Sequence, residues 1–284
     1  MLKNVDTMDA DDEVDQERPL FEVPGRFIYK SDFINVLKKL EIHEGEVLFI
    51  HSDIATFGKL ATLDKTFLLD SLIEAFQAAV GPTGTLIMPT FTYDFCENRV
   101  YDVKKSRSTV GVLTEYFRNK KDVDRTIQPI FSVAIWGANK DYFLDIDKDS
   151  FGKNSIFGKL LDKKAKIVFF GTDFDRMTFI HFVEQQYNVV YRYKKRFHGY
   201  IMKDERLYED DCDYFVRDLQ KNVLLNLDKF FKHLQAIDAV RSVDIGKGRV
   251  FLVAAETIYK EGFRCLDKDM YFFLQGDPDL HAQP

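Results

Sequence analysis

Three residues of one segment, Thr178, His181 and Glu184, could together perform acid–base chemistry. They stand three residues apart, so on an α-helix each lies on the same face as the next, and His181 can contact both of the others. A carboxylate beside an imidazole raises its basicity and fixes its tautomer, as a general base near neutral pH requires. A hydroxyl one turn earlier could donate a hydrogen bond to a developing oxyanion.

The same spacing also occurs in surface ion pairs and in metal sites. An ordinary exposed His–Glu pair produces it more often than an active site does, and spacing alone favours such a pair. A metal site fits less well, because this helix face offers one His and one Glu and no companion set of ligands is evident in the sequence.

Three apolar runs end in polar residues, namely His51-Ser52-Asp53, Thr90-Phe91-Thr92 and Gly171-Thr172-Asp173. In layered α/β folds, ligands bind at the carboxyl ends of the strands. Turn chemistry explains each ending taken singly. Three endings rich in Ser, Thr and Asp favour a shared cleft.

Two further segments could contact a phosphate. One is Ser106–Gly111, at the start of a helix expected near 110–119. Small hydroxyls and free backbone N–H groups at a helix start suit an anion, and Arg107 adds a counter-charge. A simple N-cap explains this segment equally well. The run 191–198 interleaves bases with aromatics, which suits a nucleotide or the solvated face of an edge strand. The P-loop, dinucleotide-binding and G-x-S-x-G hydrolase motifs do not occur.

Short apolar strands alternate with amphipathic helices along most of the chain. Strands are expected at 47–50, 85–88, 133–136, 166–170 and 249–253, and helices at 32–40, 65–79, 176–188, 226–236 and 255–262. This alternation predicts an α/β fold in which helices cover both faces of a sheet. We expect a disordered acidic leader over 1–24, one domain with a carboxy-terminal elaboration over 25–275, and a flexible tail over 276–284.

Composition excludes several classes of protein. The 284 residues are 45% hydrophobic and 30% charged, which argues against a disordered chain, and no apolar run approaches the roughly 20 residues of a membrane helix. The net charge is −6, but residues 1–20 hold seven acids and two bases, a net of −5, so the remainder sums to −1. A nearly neutral body argues against a nucleic-acid partner. The acidic start and three cysteines without a C-x-x-C pair predict a cytoplasmic protein.

Taken together, these segments resemble the aminoglycoside 3-N-acetyltransferase family, the antibiotic acetyltransferases that are unrelated to the GNAT fold. The resemblance runs in order over roughly residues 30–200, and 166–184 (KIVFFGTDFDRMTFIHFVE) is its most specific part. The other matching segments are His51-Ser52, 81–92 (GPTGTLIMPTFT), 108–115 (STVGVLTE), Arg125 with Pro129 and Ser132, and 155–160.

The resemblance implies a three-layer α/β/α sandwich with a central mixed sheet. It implies transfer of an acyl group from acyl-CoA, either acetyl-CoA or a longer one, to a primary amine on a sugar, without a metal. His181 would be the base, Glu184 would orient it and Thr178 would help to hold the thioester oxyanion. The cofactor-binding residues expected are His51, Ser52 and Asp53 along pantetheine, and Arg107, Ser108, Thr109 and Val110 at the pyrophosphate. Those expected at the acceptor are Thr90, Thr92, Tyr93, Asp94, Asp173 and Asp175.

The sequence departs from the family at the acceptor side. Where the family often has H-P-x-H-S, this chain has Gln128-Pro129-Ile130-Phe131-Ser132, and Asp53 replaces a small hydroxyl residue. With the basic run 191–196, these departures favour a nucleotide-linked deoxyamino sugar for surface glycan synthesis as the acceptor. The alternatives are aminoglycoside 3-N-acetylation, favoured by the acids near the expected cleft, and a non-catalytic CoA- or sugar-binding homologue. The oligomeric state stays open, a homodimer included.

Overall fold

A computed structural model of the chain describes residues 17–278. The strands are β1 Phe21–Val23, β2 Arg26–Ile28, β3 Val47–Ser52, β4 Lys59–Leu60, β5 Thr85–Pro89, β6 Tyr101–Asp102, β7 Asp124–Arg125, β8 Val133–Gly137, β9 Lys166–Phe170, β10 Arg192–Lys203, β11 Arg206–Arg217, β12 Arg241–Ile245 and β13 Gly248–Ala254. The α-helices are α1 Lys30–Lys39, α2 Lys65–Val80, α3 Val112–Phe117, α4 Lys140–Leu144, α5 Ile156–Asp162, α6 Phe179–Tyr187, α7 Asp228–Ala236 and α8 Ala255–Lys268.

A seven-stranded mixed sheet forms the centre of the fold, in the order β12-β13-β9-β3-β5-β8-β7. The three middle strands, β9, β3 and β5, run parallel, and the outer strands pair antiparallel on both sides. The carboxyl ends of the three parallel strands therefore meet at one edge of the sheet, as the polar endings of the three apolar runs predict.

Alternating side chains divide the sheet between two hydrophobic cores. In β3, Leu48 and Ile50 belong to one core, while Phe49 faces the other. Helices α1, α2 and α3 bury their apolar residues in the first core, and α5, α6, α7 and α8 bury theirs in the second. Helices thus cover both faces, and the three-layer α/β/α sandwich with a central mixed sheet is confirmed.

A long hairpin, β10–β11, forms a second sheet with β6 in the order β11-β10-β6. Asp204 and Glu205 make its turn with positive φ angles of 47° and 64°, the left-handed pair that a two-residue hairpin turn needs. The basic aromatic run 191–198 leads into and occupies β10, the middle strand of this sheet. Because β6 pairs with β10 only at Ile201 and Met202, residues 192–198 pair with β11 alone among the described residues, and their other side is an open edge, as the solvated-edge alternative expects.

The disordered leader predicted over 1–24 is wrong at its carboxyl end. Phe21–Val23 pairs with both Arg26–Ile28 and Lys59–Leu60, and Leu20 and Phe21 are fully buried. Residues 1–16, and residues 279–284 of the expected tail, lie outside the described residues. No helix within 17–278 combines the length and apolar character that crossing a membrane requires.

Candidate active site

A cleft of about 510 Å³ opens at the carboxyl edge of the parallel strands. Its walls come from the segments after β3, β5 and β9 and from the start of α3. The expected site residues that line it are His51, Ser52, Asp53, Tyr93, Thr109, Val110, Asp175 and Thr178. The cleft thus brings together residues predicted for cofactor, acceptor and oxyanion.

Gly171 allows the endings of β3 and β9 to approach closely at this edge. Its φ is +72°, and a Cβ there would lie 2.4 Å from the carbonyl oxygen of Asp53. The Asp53 N–H also donates to the carbonyl of Phe170 at 2.9 Å, while the Asp53 carboxylate accepts from the Ala55 N–H. The backbone N–H and carboxylate of Asp53 therefore already have partners in the turn.

His51 and Ser52 each carry a buried polar atom with no hydrogen-bond partner in the described part of the chain, Nε2 and Oγ respectively. The imidazole is 6% exposed and stacks on the ring of Phe169. Burial lowers the pKa of His51 to about 3, so the ring is neutral near pH 7. An unpartnered buried polar atom costs roughly 1–3 kcal/mol. A ligand with hydrogen-bonding groups could satisfy both atoms.

The predicted pair of His181 and Glu184 forms on α6. His181 Nδ1 lies 2.7 Å from Glu184 Oε2. The hydroxyl of Tyr191 donates to Oε1 at 2.9 Å, and Arg192 Nε lies 2.8 Å from Oε2. The carboxylate is fully buried, whereas 18% of the His181 side chain is exposed. This is no ordinary surface pair, because its acid is inside the protein.

Two opposing influences act on each member of the pair. Burial raises the pKa of Glu184, but the charge of Arg192 and the hydrogen bonds from His181 and Tyr191 outweigh it, so the pKa is lowered and the group is a carboxylate. Burial and then the charge of Arg192 lower the pKa of His181, against the hydrogen bond to Glu184. The neutral imidazole then carries its proton on Nδ1, facing the carboxylate. Its Nε2 lone pair is available to accept a proton.

Thr178 immediately precedes α6 and lines the cleft. Its hydroxyl makes one long contact, 3.5 Å to the carbonyl of Arg176. Such a weak hydrogen bond leaves the hydroxyl able to turn towards a ligand. His181 follows three residues later on the same helix, one turn from the cleft-lining Thr178, but neither His181 nor Glu184 is among the residues that line the cleft.

The free backbone N–H groups expected at 108–110 are a wrong prediction. The N–H of Ser108 donates to the Glu115 carboxylate at 2.8 Å, that of Thr109 to the Phe91 carbonyl, and that of Val110 to the Ser108 hydroxyl. The physical reason is that the helix begins only at Val112, so 108–110 form a capped turn before it. The first-turn amides without an intrahelical acceptor therefore lie after this segment.

Arg107 is 84% exposed and lies 3.9 Å from the Glu115 carboxylate. It lines a neighbouring hollow of about 410 Å³ together with Ser108. This hollow shares Thr109, Gly111 and Val112 with the cleft. Arg107 and Ser108 thus lie beside the cleft rather than in it.

Three of the expected acceptor residues are not among those that line the cleft. Thr90 is buried, where its hydroxyl contacts Ser132 and accepts from Arg125 Nε at 3.0 Å. Thr92 is also buried, and its hydroxyl accepts from the N–H of Asp94. The Asp94 carboxylate pairs with Arg99. In this structure these three residues hold the segment after β5, and their assignment to the acceptor is not supported.

Asp173 lies in a neighbouring hollow of about 750 Å³ that shares Thr172 and Asp175 with the cleft. Further acids line this hollow, Asp228 and Asp244. One oxygen of Asp175 accepts from the N–H of Leu227 at 3.1 Å. The cleft and the acidic hollow therefore meet at the ending of β9.

Three of the four cations in the basic run 191–196 face carboxylates. Arg192 pairs with Glu184, Lys194 Nζ lies 2.7 Å from Asp149, and Arg196 Nε lies 2.7 Å from Asp213. The fourth, Lys195, lies over the ring of Phe197, and the prediction that the run contacts a phosphate stays a prediction. Asp213 lies on β11, the strand that pairs with β10.

Sequence reasoning missed two residues that complete this site. It assigned Arg192 to a phosphate, because the contact with Glu184 depends on where the hairpin packs. It treated Phe131 only as a missing histidine, whereas the ring packs 4.7 Å from Phe151 and 5.0 Å from Tyr214. Phe151 in turn contacts His181 edge-on at 5.6 Å. Aromatic rings thus surround one side of the base.

Residues 49–267 match the family model described as aminoglycoside 3-N-acetyltransferase, which is well over half of the chain. The SPbeta prophage-derived aminoglycoside N(3')-acetyltransferase-like protein YokD of Bacillus subtilis (strain 168) is 24% identical over 187 residues, 57% of this chain and 66% of that protein, just under two thirds of it. Aminoglycoside N(3)-acetyltransferase IV of Salmonella sp is 27% identical over 193 residues, 66% of this chain and 69% of that protein.

A solved structure described as AAC-IIIb binary with CoASH superposes with a TM-score of 0.72 at 23% identity, covering 88% of this chain and 98% of that one. At this identity the likeness shows the fold alone. The mixed sheet and its helical layers are therefore shared with a CoA-bound acetyltransferase structure.

Proposed function

The chain belongs to the aminoglycoside 3-N-acetyltransferase family and is thus an acyltransferase; from this premise we propose that it acetylates a primary amine of an aminoglycoside, using acetyl-CoA. The observation that carries the proposal is the buried pair of Glu184 and His181, placed one helical turn after a cleft-lining Thr178. The names of the relatives favour an aminoglycoside over a nucleotide-linked sugar as the acceptor.

In the proposed reaction, the amine nitrogen attacks the carbonyl carbon of the thioester. The C–N bond forms as the C–S bond breaks, His181 Nε2 takes a proton from the amine, and that proton goes on to the departing thiolate. Glu184 accepts the hydrogen bond from Nδ1–H and stabilises the imidazolium that forms in between. The hydroxyl of Thr178 donates to the oxyanion.

The unpartnered atoms of His51 and Ser52 support the cleft as the place for the CoA arm. Pantetheine carries two amides, whose N–H and C=O groups can pair with a neutral imidazole nitrogen and a hydroxyl. Arg107 and the hydroxyl of Ser108, in the adjoining hollow, are the contacts we propose for the pyrophosphate.

The acidic hollow supports a polycationic acceptor. It is lined by Asp173, Asp175, Asp228 and Asp244 and by two cations, Lys247 and Arg249, so acids outnumber bases by four to two. Arg249 Nε lies 2.7 Å from Asp244, and the hollow meets the cleft at Asp175. A nucleotide-linked sugar would bring phosphates, whereas Arg192, Lys194 and Arg196 of β10 already face carboxylates. The acceptor we propose therefore carries several amines and no phosphate.

The test is thiol release from acetyl-CoA with a panel of kanamycin-type aminoglycosides and nucleotide-linked amino sugars. His233 provides a matched control, because its Nε2 lies 2.8 Å from Glu261 in a second His–Glu pair, formed between α7 and α8. We expect His181→Ala to lower kcat by about 10²- to 10⁴-fold and His233→Ala to leave it unchanged.

Three outcomes would contradict the proposal. Equal effects of the two substitutions would remove His181 as the base. Thiol release only with nucleotide-linked amino sugars would show that the acceptor is such a sugar and not an aminoglycoside. CoA binding without turnover of any amine would favour a non-catalytic homologue.

A further inference from the structure

The Glu184 carboxylate is fully buried and must be neutralised by a cation inside the protein, since a buried unpaired charge is strongly destabilising. Two groups share its Oε2 atom: His181 Nδ1 at 2.7 Å and Arg192 Nε at 2.8 Å. One of the two cations would be enough. Which of them carries the charge decides whether His181 can act as a base.

A protonated His181 would neutralise Glu184, but an imidazolium has no lone pair with which to accept a proton. A guanidinium stays charged at every pH at which the protein is folded. With Arg192 charged, the carboxylate already has its counter-charge and the imidazole can stay neutral beside it. The arrangement therefore separates two tasks that a His–Glu pair alone would combine.

The surroundings of Arg192 fix its position. It is the first residue of β10, its side chain is 6% exposed, and one terminal nitrogen lies 3.4 Å from the carbonyl of Phe215 on the neighbouring strand. Its Nε–H has no hydrogen-bond partner among the described residues, so its contact with Glu184 is one of charge with charge. The Tyr191 hydroxyl meanwhile holds the other carboxylate oxygen.

We propose that Arg192 is a positioning residue, whose fixed positive charge keeps Glu184 ionised and His181 a neutral base with its lone pair on Nε2. The proposal rests on the assignment of His181 under the proposed function. It adds a residue from the hairpin to the pair on α6.

The groups that face His181 are few within residues 17–278. Glu184 acts from its own helix, Arg192 from β10, and these are the charged groups that shift its pKa. The titratable hydroxyls nearby are Tyr191, held by Glu184, and Tyr214 on β11, which packs on Phe151. Phe151 itself covers one side of the imidazole. A change in the charge of Arg192 should therefore register at His181.

The first experiment measures the pH dependence of kcat/KM for thiol release in Arg192→Gln, Arg192→Lys and Arg196→Gln. Loss of the positive charge should raise the pKa of His181. In Arg192→Gln, the pH at which kcat/KM falls on the acid side of its profile should therefore rise by about one pH unit or more. Arg192→Lys should restore most of the wild-type profile.

Arg196→Gln is the matched control. Arg196 lies on the same strand, pairs with Asp213 and is 57% exposed. The acid side of the kcat/KM profile of Arg196→Gln should therefore coincide with that of the wild type. A lower rate in Arg192→Gln with an unmoved acid side of the profile would overturn the proposal, because a purely structural role predicts that result.

The second experiment needs neither turnover nor a folded Arg192 variant. Nitrogen NMR of ¹⁵N-histidine-labelled protein, with His181→Ala for assignment, should show His181 at pH 7 as the neutral tautomer protonated on Nδ1. An imidazolium, or a proton on Nε2, in the wild-type protein would overturn the proposal. If no amine is turned over while the neutral tautomer is observed, the proposed function fails, whereas the inferred neutral state of His181 beside an ionised Glu184 stands.

Discussion

Replacing His51 by leucine should make the protein less sensitive to mild acid. His51 is 6% exposed, and burial lowers its pKa to about 3 from the ordinary value of 6.5. Between these two pH values the unfolded chain binds a proton at this residue and the folded protein does not. Its contribution to stability is therefore complete above pH 6.5 and is lost as the pH falls towards 3.

The size of this effect follows from the two pKa values. From pH 6.5 down to pH 5, an interval of about 1.5 pH units, the unfolded chain is protonated at His51 and the folded protein is not. At about 1.4 kcal/mol per pH unit, this lowers the free energy of unfolding by about 2 kcal/mol. Leucine has no titrating group, so His51→Leu should lose about 2 kcal/mol less than wild type over the same interval.

Equilibrium urea unfolding at pH 7 and pH 5 measures the difference. The quantity compared is the change in unfolding free energy with pH in each protein, so the intrinsic effect of the substitution and the titration of all shared groups cancel. Equal changes in the two proteins would show that His51 is not buried as a neutral group. The account of the unpartnered Nε2 in the cleft would then fail as well.

Three further substitutions test other contacts. Thr178→Val should lower kcat by about 10²- to 10³-fold with little change in KM for acetyl-CoA, and Thr178→Ser should retain most activity; equal rates in both variants would exclude an oxyanion role. Glu184→Gln should cost about 3–5 kcal/mol in urea unfolding, because it leaves the guanidinium of Arg192 buried without a counter-charge, and an unchanged midpoint would contradict that ion pair. Gly171→Ala should lower the free energy of unfolding more than Gly25→Ala does. Both glycines have positive φ, but of the two only Gly171 has backbone atoms where a Cβ would stand. Similar losses of unfolding free energy in the two variants would refute the close approach of the strand endings.

Features that depend on neighbours in sequence could be predicted well. The strand Lys166–Phe170 has the bounds expected from its apolar run, and the contact between His181 and Glu184 follows from their three-residue spacing. The meeting of three polar strand endings could also be expected, because parallel strands end at one edge. In each case the relevant periodicity is visible in a short window of sequence.

Features that depend on distant pairing could not be predicted. Phe21–Val23 joins the fold by pairing with Lys59–Leu60, and nothing within the first 24 residues signals that partner. The charge of Arg192 meets Glu184 only because the hairpin packs against α6. The occupied amides of 108–110 are a different case, since a helix start displaced by about two residues changes which N–H groups are free.

The regular pairing of β10 with β11 limits how this part of the chain can change length during evolution. Twelve consecutive residue pairs join the two strands without interruption, from Arg192 with Arg217 to Lys203 with Arg206. Loss of one residue from a single strand would turn every residue beyond it to the other face, exposing Ile201 or Cys212, which are now buried. Length differences among relatives should therefore come as matched losses or gains on both strands next to the turn, and Arg192, at the opposite end, would keep its place.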